Sequence, residues 1–278
     1  MKIGVLLESF HKPVYESLAI AKKIGVEGIQ VYATTGELSP ERLKGQALKE
    51  FKKAVADSGL TISALCGDLG GGFMDKSQNP AKIEKSKAIL DLAKELGTNI
   101  VTTHIGIVPE DINSERFHTM HQACYQLAEY ADSMQAHFAV ETGPEKAITL
   151  KRFLDTLGSK GVAVNFDPAN FVMVTGDDPV AGVLTLKDYI VHTHAKDGIK
   201  LYDTDPENIY NPSAEVIITN PSFAEKPLGQ GKVDFTGWID NLRKIGYNGY
   251  LTIERETGEN PIQDITAAVE FLRERLSI

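Results

Sequence analysis

Sulfur is scarce in this chain. Its 278 residues include two cysteines, Cys66 and Cys124, far apart and without CxxC spacing, so no disulfide framework or thiolate zinc knuckle is expected and both thiols should be reduced. Long apolar runs are missing too. No stretch approaches the roughly 18 residues a membrane-spanning helix needs, and the opening KIGVLL (2–7) is too short for a signal-peptide core before it meets polar ESFHKP. A cytoplasmic location with no membrane partner is the expectation. Basic residues are outnumbered, 29 Lys and Arg against 38 Asp and Glu, and the resulting charge of −9 argues against a general affinity for nucleic-acid phosphates or anionic surfaces. The first apolar stretch also lacks a GxGxxG after it, which disfavours a dinucleotide-binding doubly wound sheet.

What is present is alternation. With 42% hydrophobic residues and no low-complexity segment, the chain can bury a large core without dividing into two domains. Short apolar runs at 2–7, 28–32, 61–65, 100–103, 138–140, 162–166, 189–194 and 249–253 read as strands. Between them amphipathic stretches predict helices at 13–24, 40–58, 81–96, 116–135, 150–157, 179–186, 235–245 and 261–276. Strict strand–helix alternation implies a parallel sheet with right-handed crossovers, and eight repeats at this length favour closure into a single (β/α)8 barrel over residues 1–278. The glycine run GDLGGGF (67–73) reads as a flexible loop, and Asn-, Asp- and Pro-rich 199–223 as an insertion over the rim, a lid or an oligomer contact.

In a barrel the C-terminal strand ends share one rim, so residues remote in sequence meet there. The ends carry Glu8, Cys66, His104, Glu141, Asp167, His194 with Lys196, and Glu254. Each has an ordinary structural explanation: a helix cap for an acid, a turn at Asp167-Pro168, a loop pair between Lys196 and Asp197. Acids or histidine at four successive strand ends need four such explanations at once. Glu141, Asp167, His194 and Glu254 instead form one set of three carboxylates and an imidazole, suited to a single divalent cation such as Mn, Mg, Co or Zn. His192, His194 and Lys196 share a strand face by period-two alternation, which puts Lys196 within reach of a substrate hydroxyl or phosphate. Gln230, between Gly229 and Gly231, sits on a loop able to approach a ligand closely.

AVETG (139–143), NFDPAN (165–170), HTHAKDG (192–198), PLGQGKVDF (227–235) and YLTIERE (250–256) resemble the sugar phosphate isomerase/epimerase family of the xylose isomerase-like TIM barrels, over nearly the whole chain. The resemblance implies the same four metal ligands, with Glu141 and Glu254 also serving as acid and base, as in the ketose 3-epimerases. It places His104 as a substrate or supporting residue. Asn170 stands where the tagatose 3-epimerase group has a substrate-contacting histidine, which puts that sugar specificity in doubt. Endonuclease IV, an abasic-site nuclease of the same superfamily, needs further histidines for three zinc ions that ALCGD (64–68) and Asn170 do not supply.

The expected activity is a divalent-metal-dependent isomerase or epimerase of a sugar, sugar phosphate or sugar acid, moving a proton through a metal-stabilised enediolate. Loss of a β-hydroxyl from that intermediate would make the same site a dehydratase of an inosose or 3-dehydroshikimate. An abasic-site nuclease and a non-catalytic sugar-binding barrel are weaker readings, and homo-oligomerisation is left open.

Overall fold

The computed structural model describes residues 1–210 and 220–276. Ten strands are seen: β1 (Lys2–Leu6), β2 (Gly28–Tyr32), β3 (Thr61–Cys66), β4 (Ile100–Thr103), β5 (His137–Glu141), β6 (Val162–Phe166), β7 (Ile190–Ala195), β8 (Asp197–Lys200), β9 (Phe223–Lys226) and β10 (Tyr250–Ile253). Eight of them close into a parallel barrel in the order β1-β10-β7-β6-β5-β4-β3-β2. Closure joins the two ends of the chain, with Lys2 in register with Tyr250 and Val5 with Ile253. The barrel expected from alternation is therefore present.

The helices are α1 (Val14–Ile24), α2 (Gly45–Ser58), α3 (Asn79–Leu96), α4 (Glu115–Ser133), α5 (Ala147–Leu157), the single turn α6 (Pro168–Asn170), α7 (Pro179–Thr185), the single turn α8 (Glu207–Tyr210), α9 (Phe235–Lys244) and α10 (Pro261–Leu276). None of the described helices is long and apolar enough to cross a membrane. Their inner faces supply Phe51, Ile89, Leu127, Phe153, Trp238 and Leu272, all buried against the outward-facing strand residues Phe138, Val164, Leu251 and Ile253. Burying such side chains contributes roughly 1.5–3 kcal/mol each, which makes this outer layer the main source of stability.

Two helix starts differ from the periodic reading by three residues or more. Residues 40–44 form a turn closed by the Leu43 N–H on the Ser39 carbonyl, and Lys44 is extended, so α2 begins at Gly45 and not at Pro40. Helix α5 begins three residues early because Asp177, from another loop, accepts the Ala147 N–H at 2.9 Å. A cap donated from thirty residues away leaves no local trace.

The strands' inward positions carry a polar layer. Gln30 donates to Thr102 Oγ1 at 2.8 Å, Asn165 Oδ1 lies 2.8 Å from His192 Nδ1, and Thr252 Oγ1 lies 3.0 Å from His192 Nε2. Each of these groups is buried and partnered, as the cost of desolvating polar atoms demands. The polar layer is the floor of the rim site.

The rim itself is more ordered than its sequence implies. The glycine loop is tied down: Phe73 donates to the Ile105 carbonyl at 2.8 Å and packs edge-on against Phe138, while Lys82 Nζ bridges the Gly70 and Gly72 carbonyls at 2.7 Å each. The expected flexible loop is thus anchored at its far end. In the expected insertion, β8 and β9 pair as an antiparallel hairpin, Asp197 opposite Lys226 and Lys200 opposite Phe223. Part of that insertion, 211–219, lies outside the described residues.

Candidate functional site

Four strand ends meet above the polar layer. One ligand atom from each of Glu141, Asp167, His194 and Glu254 lies within 4.8 Å of all the others, and all four residues are buried. Glu141 ends β5, Asp167 follows β6, His194 lies on β7 and Glu254 follows β10. The distances from His194 Nδ1 are 3.5 Å to Glu141, 3.9 Å to Asp167 and 3.3 Å to Glu254.

The other ring nitrogen sets the histidine's orientation. His194 Nε2 lies 3.0 Å from Gln30 Oε1, an amide oxygen that can only accept, so the proton sits on Nε2 and Nδ1 is left facing the carboxylates. Gln30 is itself fixed by Thr102. Neither residue was singled out from sequence, although a glutamine inside the apolar strand GIQVY was a usable signal: a polar side chain on a buried strand requires a partner.

Asp167 performs two jobs with two oxygens. Its Oδ1 caps the turn at Pro168–Asn170, accepting from the N–H of Ala169 at 2.7 Å and of Asn170 at 3.2 Å, while Oδ2 is buried with no hydrogen-bond partner. The capping role and the ligand role, competitors in the sequence, are both available. An orphaned buried carboxylate oxygen costs ~1–3 kcal/mol or more unless something meets it, and a cation among three carboxylates and an imidazole is such a partner. The residues present therefore fit a divalent metal.

The electrostatics agree. Burial pushes the Asp167 carboxyl up to about 7, reinforced by Glu141 and Glu254 and opposed by Lys196. Burial would raise Glu254 as well, but Lys196 and His194 outweigh it and hold this carboxylate below its ordinary range. Burial lowers and the surrounding carboxylates raise His194, and the carboxylates prevail. His192, buried beside the positive His194, is pushed well below the usual histidine range and stays neutral in the floor.

Around this cluster is a cavity of about 220 Å³, lined by His104, Glu141, Asn170, His194, Lys196 and Glu254 together with Tyr32, Asp68, Tyr210, Phe223 and Glu256. Six of the eight residues expected at the site thus line the cavity, and Asp167 joins them as the seventh through the ligand cluster. Asn170 donates to Glu141 Oε1 at 3.0 Å and to the Thr142 carbonyl at 3.2 Å. Lys196 donates to Glu254 Oε2 at 3.0 Å and to Glu256, and does not pair with Asp197. His104 Nδ1 lies 2.8 Å from Asp68 and its Nε2 3.7 Å from Glu141, with the Tyr210 ring 5.7 Å away.

Gln230 is the exception. It is exposed and does not line the cavity. The N–H groups of Gly229 and Gly231 beside it each donate to Asp197 Oδ2 at 2.9 Å, and a Cβ on Gly231 would fall 2.0 Å from Asp197 Oδ1. The glycines permit close approach to an internal carboxylate instead of a ligand. Asp68, Glu256, Tyr32 and Tyr210 went unnoticed because they belong to loops or to a solvent-facing strand end, where no periodicity marks them.

The His104–Asp68 pair yields a pH prediction. Burial opposes the imidazolium, but Glu141 and then Asp68 favour it, lifting His104 to about 9. Stability from this pair is fully present below the ordinary histidine value of 6.5 and is lost as pH rises through about 9. Asp68→Asn removes one of the three charges responsible, the third being Glu254, so the His104 titration midpoint, followed by NMR in the chelated chain, should fall. A midpoint unchanged by the substitution would show that Asp68 does not hold the proton.

Comparison with known proteins gives the same framework. A putative L-ribulose-5-phosphate 3-epimerase of Escherichia coli is 24% identical over 274 residues, covering 94% of this chain and 91% of the relative. An inosose dehydratase of Lacticaseibacillus casei is 25% identical over 145 residues, 51% of this chain and 47% of the relative. Among solved structures, a xylose isomerase domain protein from Planctomyces limnophilus superposes with a TM-score of 0.79 at 23% identity, over 99% of this chain and 96% of that one. Residues 18–275 match the family described as xylose isomerase-like TIM barrel, and with the closed barrel and its rim already established, the chain belongs to that family.

Proposed function

We propose that the protein is a divalent-metal-dependent epimerase or isomerase of a ketose or related keto-polyol, held by Glu141, Asp167, His194 and Glu254 around one metal ion. The observation that carries this reading is the four-residue cluster with its unpartnered Asp167 oxygen; Glu141, His194 and Glu254 of that cluster line the central cavity. When bound, a divalent cation supplies Lewis-acid polarisation of a carbonyl and neutralises charge developing on its oxygen.

The chain's own residues supply the rest. Glu141 and Glu254 stand on strands separated in the barrel by β6 and β7, so their carboxylates address a substrate from two sides. One removes the proton from the carbon beside the carbonyl and the other returns a proton to the opposite face, inverting the centre. Return to a neighbouring carbon on the same face would be aldose–ketose isomerisation. Lys196 Nζ and the His104 ring are positioned to donate hydrogen bonds to substrate oxygens. Met173, Val174, Ile209, Tyr210 and Phe223 wall the cavity and limit water at the reacting carbon.

A keto-polyol dehydratase is the second reading. It is supported by the protonated His104 beside Glu141, a proton donor for a departing hydroxyl, and by the similarity to an inosose dehydratase over half of the chain.

The test is solvent deuterium incorporation into a panel of ketoses and inososes, with metal content measured on the same sample. About one metal ion per chain is expected, with label entering beside the carbonyl. Chelation should reduce exchange to background, and Mn, Mg, Co or Zn should restore it. Loss of water to give a conjugated, ultraviolet-absorbing product would select the dehydratase. Label entering no compound, or exchange indifferent to chelation, would reject the proposal.

A further inference from the structure

A phosphate ester needs a cationic or N–H-rich receptor, and the rim of this barrel has filled the places where one would be. In (β/α)8 barrels the loops after the seventh and eighth barrel strands commonly cradle phosphate with backbone N–H groups. Here the loop after β7 turns its N–H groups onto Asp197: Gly198 at 2.8 Å, Gly229 and Gly231 at 2.9 Å and Val233 at 3.1 Å. After β10, the Glu256 N–H lies 3.1 Å from Glu225 Oε2 and that of Thr257 also donates there at 3.1 Å. Two of the chain's own carboxylates occupy the two cradles.

Side chains do not compensate. Among the described residues the cavity lining contains no arginine, and its one lysine, Lys196, is buried and engaged by both Glu254 and Glu256. Against it stand Asp68, Glu141, Glu254 and Glu256 in the lining itself. Even with a dication bound, the described lining already sets Lys196 against Glu254 and Glu256 and His104 against Asp68 and Glu141, so a dianionic phosphate would compete with those carboxylates for them. Residues 211–219, NPSAEVIIT, outside the described part, contain neither lysine nor arginine.

Three further cations, Arg116, Lys146 and Lys200, line an adjoining cleft of about 520 Å³ that shares only Val174 with the central cavity. Arg116 there pairs with Glu207, and Lys200 with Asp203 at 2.5 Å.

We infer that the substrate is an uncharged, non-phosphorylated polyhydroxy carbonyl compound, a free ketose or cyclic keto-polyol. This rests on the proton-transfer reading of the same site. Asp68 and Glu256 accept hydrogen bonds from its hydroxyls, and Leu6, Met173, Val174, Ile209 and Phe223 offer contact to its C–H faces.

The experiment pairs neutral compounds with their phosphates on the full chain as purified with its metal. D-fructose, D-tagatose and L-ribulose are compared with their terminal phosphates, by deuterium exchange and, independently, by calorimetric binding. Placing a dianion beside the rim carboxylates should lower binding and kcat/KM by about tenfold or more relative to the neutral partner, and millimolar inorganic phosphate should not compete. Exchange favouring a phosphate ester would overturn the inference while leaving the proton-transfer reading intact. Binding of a neutral ketose in preference to its phosphate, with no exchange in either, would support the inference and reject proton transfer. Preferential binding of the phosphates, or binding of neither class, would overturn it.

Discussion

Glu141→Gln and Glu254→Gln should each depress turnover by roughly 10²–10⁴-fold, the range general acid–base groups contribute. Glutamine keeps the shape and the ability to accept a hydrogen bond, so Asn170 retains an oxygen to which it donates 3.0 Å away at position 141. What disappears is the capacity to take a proton. In the chelated chain these carboxylates are crowded with Asp167 around His194, and their charges raise Asp167. Neutralising one of them relieves that repulsion. Thermal stability without metal should nonetheless fall somewhat at both positions, because Glu141 faces His104 and His194 and Glu254 faces Lys196 and His194. Loss of exchange in a folded variant with part of its metal affinity separates a chemical role from misfolding. Full activity in both variants would sink the assignment of acid and base to these two glutamates.

Asp197→Ala should cost several kcal/mol of stability although Asp197 lies outside the cluster. Its carboxylate is 1% exposed and receives four backbone N–H groups, from Gly198, Gly229, Gly231 and Val233. Alanine leaves those donors without an acceptor, and at ~1–3 kcal/mol for each group that stays dry the loss reaches ~4 kcal/mol or more. At about 2–4 °C per kcal/mol for a chain of this size, the melting temperature should drop by roughly 10 °C. Water entering the gap would soften the effect, so Asp197→Asn is the informative companion. Asparagine restores one acceptor oxygen but presents an NH₂ to some of the donors, and its stability should fall between the two. Calorimetric melting of the three proteins tests this; an alanine variant as stable as the parent would show that the loop over 229–233 is held by other means.

This aspartate also shows where sequence reading stops. Period-two alternation correctly sends His192, His194 and Lys196 to one side of β7, and by the same rule Asp197 faces the other way. Alternation says nothing of what waits there. Three of its four partners are 32 to 36 residues downstream, and only the path of that loop decides that Asp197 gathers N–H groups while its neighbour meets Glu254 and Glu256. The glycines around Gln230 were visible as points of close approach, yet the approaching group proved to be Asp197.

What the sequence determined by itself was local and periodic. Apolar runs of three to six residues alternating with amphipathic stretches require parallel strands and covering helices, and the side chains at or one position past the strand ends then share a rim. That logic reaches Glu141, Asp167, His194 and Glu254 without any coordinates. Only the tertiary structure decided how they are held: Gln30 fixes His194 across 164 residues, Glu225 fills the turn after β10, and Tyr210 reaches His104 from the rim insertion. The reason is physical. Strand and helix periods arise from steric rules within a few residues, whereas these contacts exist because barrel closure and loop paths bring distant segments within a hydrogen bond's length.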